Sequence, residues 1–382
     1  MRRILAITLT LLMLFSLCAC NRKAQSTSVE EPTTATATSV IDNSILDDIE
    51  EPTEAATEAL TQAAPAVDWS HANPLTGMSV EEDISKNRPV MVMLNNIKQA
   101  LPQSGNGQAD IIYEILEEGG ITRMLAVYQD ISKVTDNLGT IRSTRPYYVD
   151  LVAGMDGILV HAGGSGAAYD LIEELGVTEV DALSRLGGPG AHLFWRDKGR
   201  LSRGVATEHT MYITASDLAK WLPTSGLRTT HNDGFATKNT FVEDATPADG
   251  SVANVITVPF SGYKTGEFKY DEATRKYLVS EYGSPYMDEN DNSQVAVSNV
   301  LVIMTEVKPI EGDSKNRIDV AMSGSGIGYF AFGGKYVPIN WKRATDTSMY
   351  EFTTMDGQPL KLGIGTSYVN IVPTTCSVSF VG

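Results

Sequence analysis

Apolar and polar positions follow two different patterns along this chain. Up to about residue 223, short apolar runs typical of buried strands alternate with stripes at helical spacing. Beyond about residue 250, nine short strand-like runs are separated by turn residues, and none of the later segments has a convincing helical stripe. We therefore predict a mixed α/β or α+β domain over residues 69–223, an interdomain connection over 224–250 and a mostly β domain over 251–382.

The densest structural signals lie in residues 139–176. Residues 156–162 (DGILVHA) form an apolar run typical of a strand buried on both faces. A glycine-rich turn follows, and then a helical stripe that ends at Gly176, where a left-handed C-cap is expected. This strand, turn and helix direct the free N–H groups of a helix N-terminus towards the end of the strand.

Two arginines precede a second predicted helix in the same stretch. Ser143 and Thr144 are typical N-cap residues, and Pro146 is tolerated only in the first helical turn. Arg142 and Arg145 therefore lie at the positive end of this helix, where a cation costs roughly 0.3–1 kcal/mol. Their negative partner is either an internal Asp or Glu or a bound phosphate, sulfate or carboxylate, and the sequence leaves both alternatives open.

Three further elements are predicted from local signals. Residues 111–116 and 121–128 read as two strands joined at Gly119 and Gly120, which is a hairpin signal. Residues 137–142 read as a short strand that delivers Arg142 to its end. The run Thr178–Asp181 is interpreted as the capped start of a helix.

The first twenty residues predict where the protein is located. Arg2 and Arg3 precede an apolar run over residues 4–17, which is too short to span a membrane as a helix. The run ends in Leu-Cys-Ala-Cys and resembles a bacterial lipobox, which implies cleavage before Cys20 and lipid attachment to its sulfur. Residues 1–20 are thus predicted to be a lipoprotein signal peptide, and the protein is placed outside the cytoplasm, anchored to the outer face of the cell membrane.

Residues 21–68 are predicted to be a disordered tether. This segment is rich in Thr, Ala, Glu and Pro and has no aromatic residue, so it buries too little apolar surface to offset the entropy of ordering. The whole chain is also acidic, with a formal net charge of −17. That charge argues against a nucleic acid as the main partner.

Few residues in the folded part suggest a metal or a covalent nucleophile. Cys376 is the only cysteine after Cys20, and we interpret it as a packed thiol. The histidines and cysteine have no zinc-ligand spacing. Residues 288–292 begin like a calcium loop but lack Gly at its sixth and Glu at its twelfth position. We predict no metal site and no cofactor.

Several motifs together resemble a known family. They are residues 139–148 (GTIRSTRPYY) and 156–165 (DGILVHAGGS), with supporting motifs at 73–77, 118–123, 208–212, 324–326 and 341–342. On these residues the chain resembles the YerB-like lipoproteins of Gram-positive-type bacteria over about residues 73–380. The resemblance implies two paired domains of unknown function and brings no reaction or ligand. Many relatives are associated with a His where this chain has Tyr286, which puts any His-based site in the second domain in doubt.

Candidate ligand-binding residues cluster around the glycine turn and the hairpin. They are Arg142, Arg145, His161, Gly163, Gly164, Ser165, Arg123, Glu118, Arg196 and His209. Each has a structural alternative. His161 is either hydrogen-bonded in the core or faces a ligand, Glu118 and Arg123 are either a hairpin ion pair or ligand contacts, and Arg196 is either a solvated loop charge or an anion contact.

Two functions remain open from the sequence. The first, which we favour, is a non-catalytic binding or scaffold lipoprotein with an anion-binding site in the first domain, whose partner is a cell-wall polymer or another envelope protein. The second is an envelope hydrolase acting on a phosphodiester or glycan. In that alternative Arg142 and Arg145 hold charge, while His161 with Glu208 or Asp156 acts as acid and base. A transporter's solute-binding protein fits poorly, because the second domain is predicted to be β-rich.

Overall fold

Most of the buried apolar runs in the sequence form strands of one large sheet. A computed structural model describes residues 71–382, which belong to one compact unit. The predicted signal peptide over residues 1–20, with Cys20, and the predicted tether over 21–68 lie outside the described residues. Within the described part, no helix has the length and apolar character needed to cross a membrane.

The described elements are as follows, in chain order. The strands of the first half are β1 (Val90–Asn96), β2 (Ile111–Leu116), β3 (Thr122–Tyr128), β4 (Asn137–Gly139), β5 (Ile158–His161), β6 (Thr178–Asp181), β7 (Phe194–Arg196) and β8 (Met211–Thr214). The helices are α1 (Pro146–Gly154), α2 (Gly166–Leu175), α3 (Lys198–Ser202) and α4 (Ala215–Trp221). The later strands are β9 (Phe241–Val242), β10 (Ser251–Val252), β11 (Val255–Pro259), β12 (Thr265–Asp271), β13 (Lys276–Glu281), β14 (Ser284–Pro285), β15 (Ala296–Val297), β16 (Asn299–Thr305), β17 (Val307–Pro309), β18 (Ile318–Val320), β19 (Gly324–Phe332), β20 (Lys335–Arg343), β21 (Glu351–Thr354), β22 (Leu362–Gly363), β23 (Ser367–Pro373) and β24 (Ser379–Val381).

Both halves of the chain contribute to the large sheet. Its order is β10-β20-β19-β16-β23-β2-β3-β1-β5-β6, with β21 added beside β20. The halves join where β2 and β23 pair in parallel, with Ile111 opposite Ser367. All four described α-helices precede residue 222, whereas the later elements are strands. The predicted change from a mixed α/β region to a mostly β region is therefore confirmed, and the two regions share a sheet.

The core lies on both faces of this sheet. Along β1, Val90, Val92 and Leu94 pack into one apolar cluster, while Met91 and Met93 pack into the other. Alternate side chains of a strand point to opposite faces, so a strand that is apolar at every position must be covered on both sides. Four smaller sheets complete the described scaffold, two of which are the strand pairs β17-β18 and β22-β9, and the other two are larger. One has the order β14-β13-β12-β11-β24, and the other has the order β4-β8-β7.

Local signals predicted the elements around the glycine turn well. Strands β2 and β3 form the expected antiparallel hairpin, and Gly119 and Gly120 adopt φ of 75° and 76° in its turn. Helix α2 starts after Ser165, whose side chain caps the N–H of Ala168, and ends at Gly176 with φ of 62°.

Three local predictions were wrong. Residues 178–181 do not begin a helix but form strand β6, which pairs in parallel with β5. The N-cap of α1 is Arg145, because Ser143 and Thr144 bond instead to the carbonyl groups of Ala162 and Gly163. The strand predicted over residues 137–142 ends at Gly139. In each case pairing with a distant segment overrides the local preference.

Candidate functional site

The segment 141–145 runs beside the second half of β1 and past the carboxyl end of β5. The N–H of Arg142 donates to Met93 O over 3.0 Å, and its own carbonyl accepts from Ala162 N over 3.1 Å. The N–H of Thr144 then donates to Gly163 O over 2.9 Å, so the glycine turn lies against this segment. The carboxyl ends of parallel strands are where open α/β sheets place their ligand sites.

Arg145 has internal acidic partners. Its guanidinium is hydrogen-bonded to Glu118, and its Nη2 lies 3.4 Å from Glu117 Oε2. Partial burial disfavours ionisation of Glu118, but the bonds from Arg145 outweigh this cost and lower its pKa to about 2. The pKa of Arg145 is raised, because these carboxylates outweigh its own desolvation. For Arg145 the geometry fits the internal-partner alternative.

Arg123 shares Glu117 with Arg145. Its Nη1 lies 2.9 Å from Glu117 Oε2 and donates to Ser143 O over 2.8 Å. Glu117 is only 1% exposed. Burial raises the pKa of Glu117 to about 7, although Arg123 and Arg145 both act to lower it. The hairpin ion pair would have joined Glu118 to Arg123, but Glu118 bonds to Arg145 instead. The two hairpin carboxylates therefore pair with arginines from both the hairpin and the start of α1.

Arg142 differs from both of these arginines. Among residues 71–382, its guanidinium has no carboxylate within 4 Å and no hydrogen-bond acceptor, and its Nε is buried without a partner. Burial and the neighbouring charge of Arg123 lower its pKa. We call Arg123, Arg142, Arg145, Glu117 and Glu118 the arginine cluster. It has three cations for two carboxylates, and the surplus cation is Arg142.

His209 lies at the same strand ends. Its Nδ1 is 2.7 Å from Nδ2 of Asn95, the penultimate residue of β1. Because an amide nitrogen donates, this contact assigns Nδ1 as the acceptor of a neutral ring. Burial and the charge of Arg142 both lower the pKa of His209. Glu208 is exposed. Arg196, the last residue of β7, donates from Nη1 to Thr207 O, and this bond holds the arginine side chain against the loop before β8.

His161 is enclosed and fully paired. It is 0% exposed, its Nδ1 lies 2.8 Å from Gly163 O, and its Nε2 lies 2.7 Å from Glu179 Oε2. The turn that follows is also used internally, since the N–H of Gly163 donates to Asp181 over 2.9 Å and Ser165 caps α2. The geometry of His161 and of these turn groups therefore fits a role in holding β5 against β6.

Asp156 lies at the other end of β5 from His161. It precedes the strand, pairs with Arg228 and lies 3.4 Å from Arg88 Nε and 3.0 Å from His231 Nδ1. A strand advances about 3.3 Å per residue, so five residues of extended chain separate the two groups by roughly 16 Å. The structure does not bring this acid and base together.

A second cluster of buried charges was not predicted from the sequence. Lys264 Nζ lies 2.7 Å from Glu114 Oε1 and also contacts Glu281, and both lysine and carboxylate side chains are 0% exposed. The hydroxyl of Tyr368 donates to Glu114 Oε2 over 2.6 Å. We call Lys264, Glu114, Glu281 and Tyr368 the lysine cluster. Burial and the neighbouring charge of Glu114 raise the pKa of Glu281 to about 8, which favours its protonated form.

Tyr286, the position of the family departure, is 1% exposed and its hydroxyl lies 3.2 Å from Met124 Sδ. The structure therefore uses Tyr286 as a core residue. A cavity in the described part lies away from both clusters. It measures about 500 Å³ and is lined by Glu81, Asp110 and Asp130 among others, and burial raises the pKa of Asp110 to about 6. None of the residues predicted as the anion site lines that cavity.

Comparisons with known proteins cover most of the chain. Residues 75–228 match the model of the protein of unknown function (DUF3048) N-terminal domain, and residues 256–369 match that of its C-terminal domain. The "Putative lipoprotein YerB" of Bacillus subtilis (strain 168) is 32% identical over 302 residues, which span 78% of this chain and 86% of the relative. The crystal structure of the YerB protein from Bacillus subtilis matches with a TM-score of 0.68 and 28% identity, covering 81% of this chain and 99% of that one.

Proposed function

The chain belongs to the YerB-like family with paired DUF3048 domains, and from that premise we propose that it is an envelope lipoprotein whose arginine cluster binds an anion. The lipid on Cys20 anchors it to the outer face of the cell membrane, and residues 21–68 form the tether. The observation that carries the anion site is the guanidinium of Arg142, which has no partner among residues 71–382 and lies beside the second half of β1, past the carboxyl end of β5.

Two features support the membrane anchor. The sequence ends its signal-like segment in a lipobox-like run at Cys20, and the YerB relative is named as a lipoprotein. If signal peptidase II processes the chain, globomycin leaves an uncleaved, longer precursor in cells that express it. Normal processing in the presence of globomycin, or in a Cys20→Ser variant, contradicts the anchor.

The charge balance of the arginine cluster supports an anionic ligand. A guanidinium that is partly buried beside two other cations gains most from a negative partner, and two of its N–H groups can bind one phosphate or carboxylate together. Arg145 and Arg123 already hold Glu117 and Glu118, so Arg142 is the cation left for a ligand. In an envelope, such groups occur as polymer phosphodiesters and as peptide carboxylates. A wall polymer and a protein partner both offer such groups, and a wall polymer is the ligand to test first.

The test measures binding of the full chain, in detergent, to purified teichoic acid. Arg142→Ala is expected to weaken binding at least about tenfold, since a hydrogen-bonded charge pair contributes roughly 1.5–3 kcal/mol. Arg203→Ala, which removes an exposed arginine beyond α3, is the matched control and should bind as the parent does. Equal affinities of Arg142→Ala and the parent protein contradict the proposal.

The hydrolase alternative has less support. It requires His161 as acid or base, but this ring is enclosed and both nitrogens have partners. Asp156 lies at the other end of β5, and Glu208 is exposed on the loop before β8. Turnover of purified wall polymer that is lost in His161→Gln, with the fold retained, would favour this alternative instead.

A further inference from the structure

An aromatic platform faces a cleft that lies outside the arginine cluster. Trp195 on β7 pairs across the small sheet with Tyr212 on β8, and their rings stack with centroids 5.1 Å apart at an interplanar angle of 18°. Tyr212 is 1% exposed, whereas Trp195 is 37% exposed. One face of the indole is therefore covered by Tyr212, and the tryptophan still presents a large aromatic surface to water.

The platform is held rigidly from behind. A Cβ at Gly139 would lie 2.5 Å from Tyr212 Cδ1, so only glycine lets the ring pack this closely on β4. The Tyr212 hydroxyl donates to Glu289 Oε2 over 2.7 Å, and Arg200 Nη2 lies 2.9 Å from the same oxygen. These contacts fix the ring of Tyr212. The ring of Trp195 stacks on it and is therefore supported in place before a ligand binds.

Polar side chains line the rest of the cleft, which measures about 270 Å³. They come from both halves of the chain and include Asp136, Asn137, Asp197, Glu289 and Asn290. Asn290 Nδ2 donates to Asn137 O over 3.0 Å, which fixes these two segments against each other. In the part of the chain that the structure describes, the exposed carboxylate of Asp136 takes part in no hydrogen bond or ion pair.

We propose that this cleft binds an uncharged oligosaccharide. The electron-rich face of an aromatic ring attracts the weakly positive C–H groups on one side of a sugar ring. Carboxylate and amide groups at the edge of that ring bind its hydroxyls, with the carboxylates as acceptors and the amides as both donors and acceptors. A small site with an aromatic wall and a few placed polar groups has the form of a ligand pocket.

The charges of the residues that line the cleft favour an uncharged sugar. Three carboxylates, Asp136, Asp197 and Glu289, face the cleft, and of these Glu289 contacts an arginine. An anionic sugar would meet like charge here, whereas a neutral one would not. The inference goes beyond anion binding, since it concerns a different cleft and a ligand of different charge.

Isothermal titration calorimetry of the full chain in detergent tests this inference, with the uncharged β-1,4-linked tetramer of N-acetylglucosamine as the probe. Trp195→Ala should weaken binding at least about tenfold, which is typical of a central aromatic contact. Trp195→Phe should retain most of the affinity, because an aromatic face remains. Leu183→Ala removes an apolar side chain that is 60% exposed on another loop and should change nothing.

A second probe separates this cleft from the arginine cluster. In the Arg142→Ala variant, which lacks the proposed anion contact, tetragalacturonate, a sugar of similar length that carries carboxylates, should bind at least about tenfold more weakly than the neutral tetramer. Trp195→Ala should keep the affinity for teichoic acid. The inference is overturned if the parent protein does not bind the neutral tetramer, if Trp195→Ala binds it as well as the parent does, or if both sugars bind the Arg142→Ala variant equally.

Discussion

The two charged clusters of this protein have similar residues and opposite charge balance. The lysine cluster sets one cation against two carboxylates and is closed to water, with Lys264, Glu114 and Glu281 all 0% exposed in their side chains. The arginine cluster sets three cations against two carboxylates, and within the described part of the chain the Arg142 guanidinium has no partner. A closed cluster can correct its surplus only by binding a proton, whereas an open one can correct it with a ligand.

This difference indicates which cluster is structural. Burial and the charge of Glu114 raise the pKa of Glu281, which favours its protonated form; with that form present, one ion pair is left and no external charge is needed. Arg142 cannot lose its proton at physiological pH, because even a lowered arginine pKa stays far above it. The comparison supports our proposal that the lysine cluster stabilises the fold and that Arg142 binds a ligand. Substitutions in the two clusters can test that proposal.

The largest effect is expected for Lys264→Met. It leaves Glu114 and Glu281 enclosed without a cation, and removal of one partner from a buried ion pair costs about 3–5 kcal/mol. Denaturant unfolding at pH 7 measures this loss. Lys308→Met is the matched control, since its pair with Glu306 is more than half exposed and contributes at most about 1 kcal/mol. Equal unfolding free energies for the two variants would contradict a structural role of the lysine cluster.

Arg145→Ala and Arg142→Ala should separate the two roles within the arginine cluster. Arg145→Ala removes the partner of Glu118 and one partner of Glu117, and we expect a loss of about 2–4 kcal/mol in unfolding free energy. Arg142→Ala should stay within about 0.5 kcal/mol of the parent protein, because it removes no paired contact and relieves repulsion from Arg123. If Arg142→Ala is the more destabilised variant, Arg142 has an internal structural role and the ligand site loses its main support.

The sequence predicted the framework of the arginine cluster but not its pairing. The run DGILVHA, the hairpin glycines and the stripe of α2 are local patterns, and the structure reproduces each of them. Whether Arg145 pairs with Glu118 depends on how α1 packs beside the hairpin, which no local pattern encodes. The sequence therefore left both alternatives open for the two arginines. In the structure Arg145 has internal acidic partners, whereas Arg142 has none among the described residues.

Two errors have the same physical origin. Residues 178–181 have a single buried apolar side chain, Val180, so no local pattern marks them as a strand. They form a strand because they pair with β5, whereas the local signals predict a helix start. That error also hid Glu179, the partner that encloses His161. Lys264 lies in the turn between β11 and β12, where a lysine is usually solvated. Its burial follows from the contact between the two halves of the chain.

Removal of a single hydroxyl gives a smaller effect in the closed region. Tyr368→Phe takes away the donor to Glu114 Oε2, and an unsatisfied buried acceptor costs about 1–3 kcal/mol. Tyr286→Phe is the matched change, because its hydroxyl meets the sulfur of Met124, a weak acceptor, and should cost less than about 1 kcal/mol. Thermal unfolding of both variants measures the difference. Similar losses would mean that the hydroxyl bond to Glu114 adds nothing specific to the lysine cluster.

The smallest effect at neutral pH is expected for Glu281→Gln, which mimics the protonated acid. The pKa of Glu281 is raised from 4.5 to about 8 on folding, so its contribution to stability is complete below pH 4.5 and is lost as the pH rises through about 8. At pH 7 the variant should stay within about 1 kcal/mol of the parent protein. Between about pH 5 and 8 the parent should lose up to about 1.4 kcal/mol per pH unit, the loss should level off above pH 8, and the variant should lose less. Glu117, with a pKa raised to about 7, titrates in both proteins and adds an equal loss up to that pH.

Unfolding free energies measured at half-unit steps from pH 5 to 9 test this expectation. Parallel curves would show that Glu281 is ionised in the folded protein, and the closed cluster would then carry its surplus charge as the open one does.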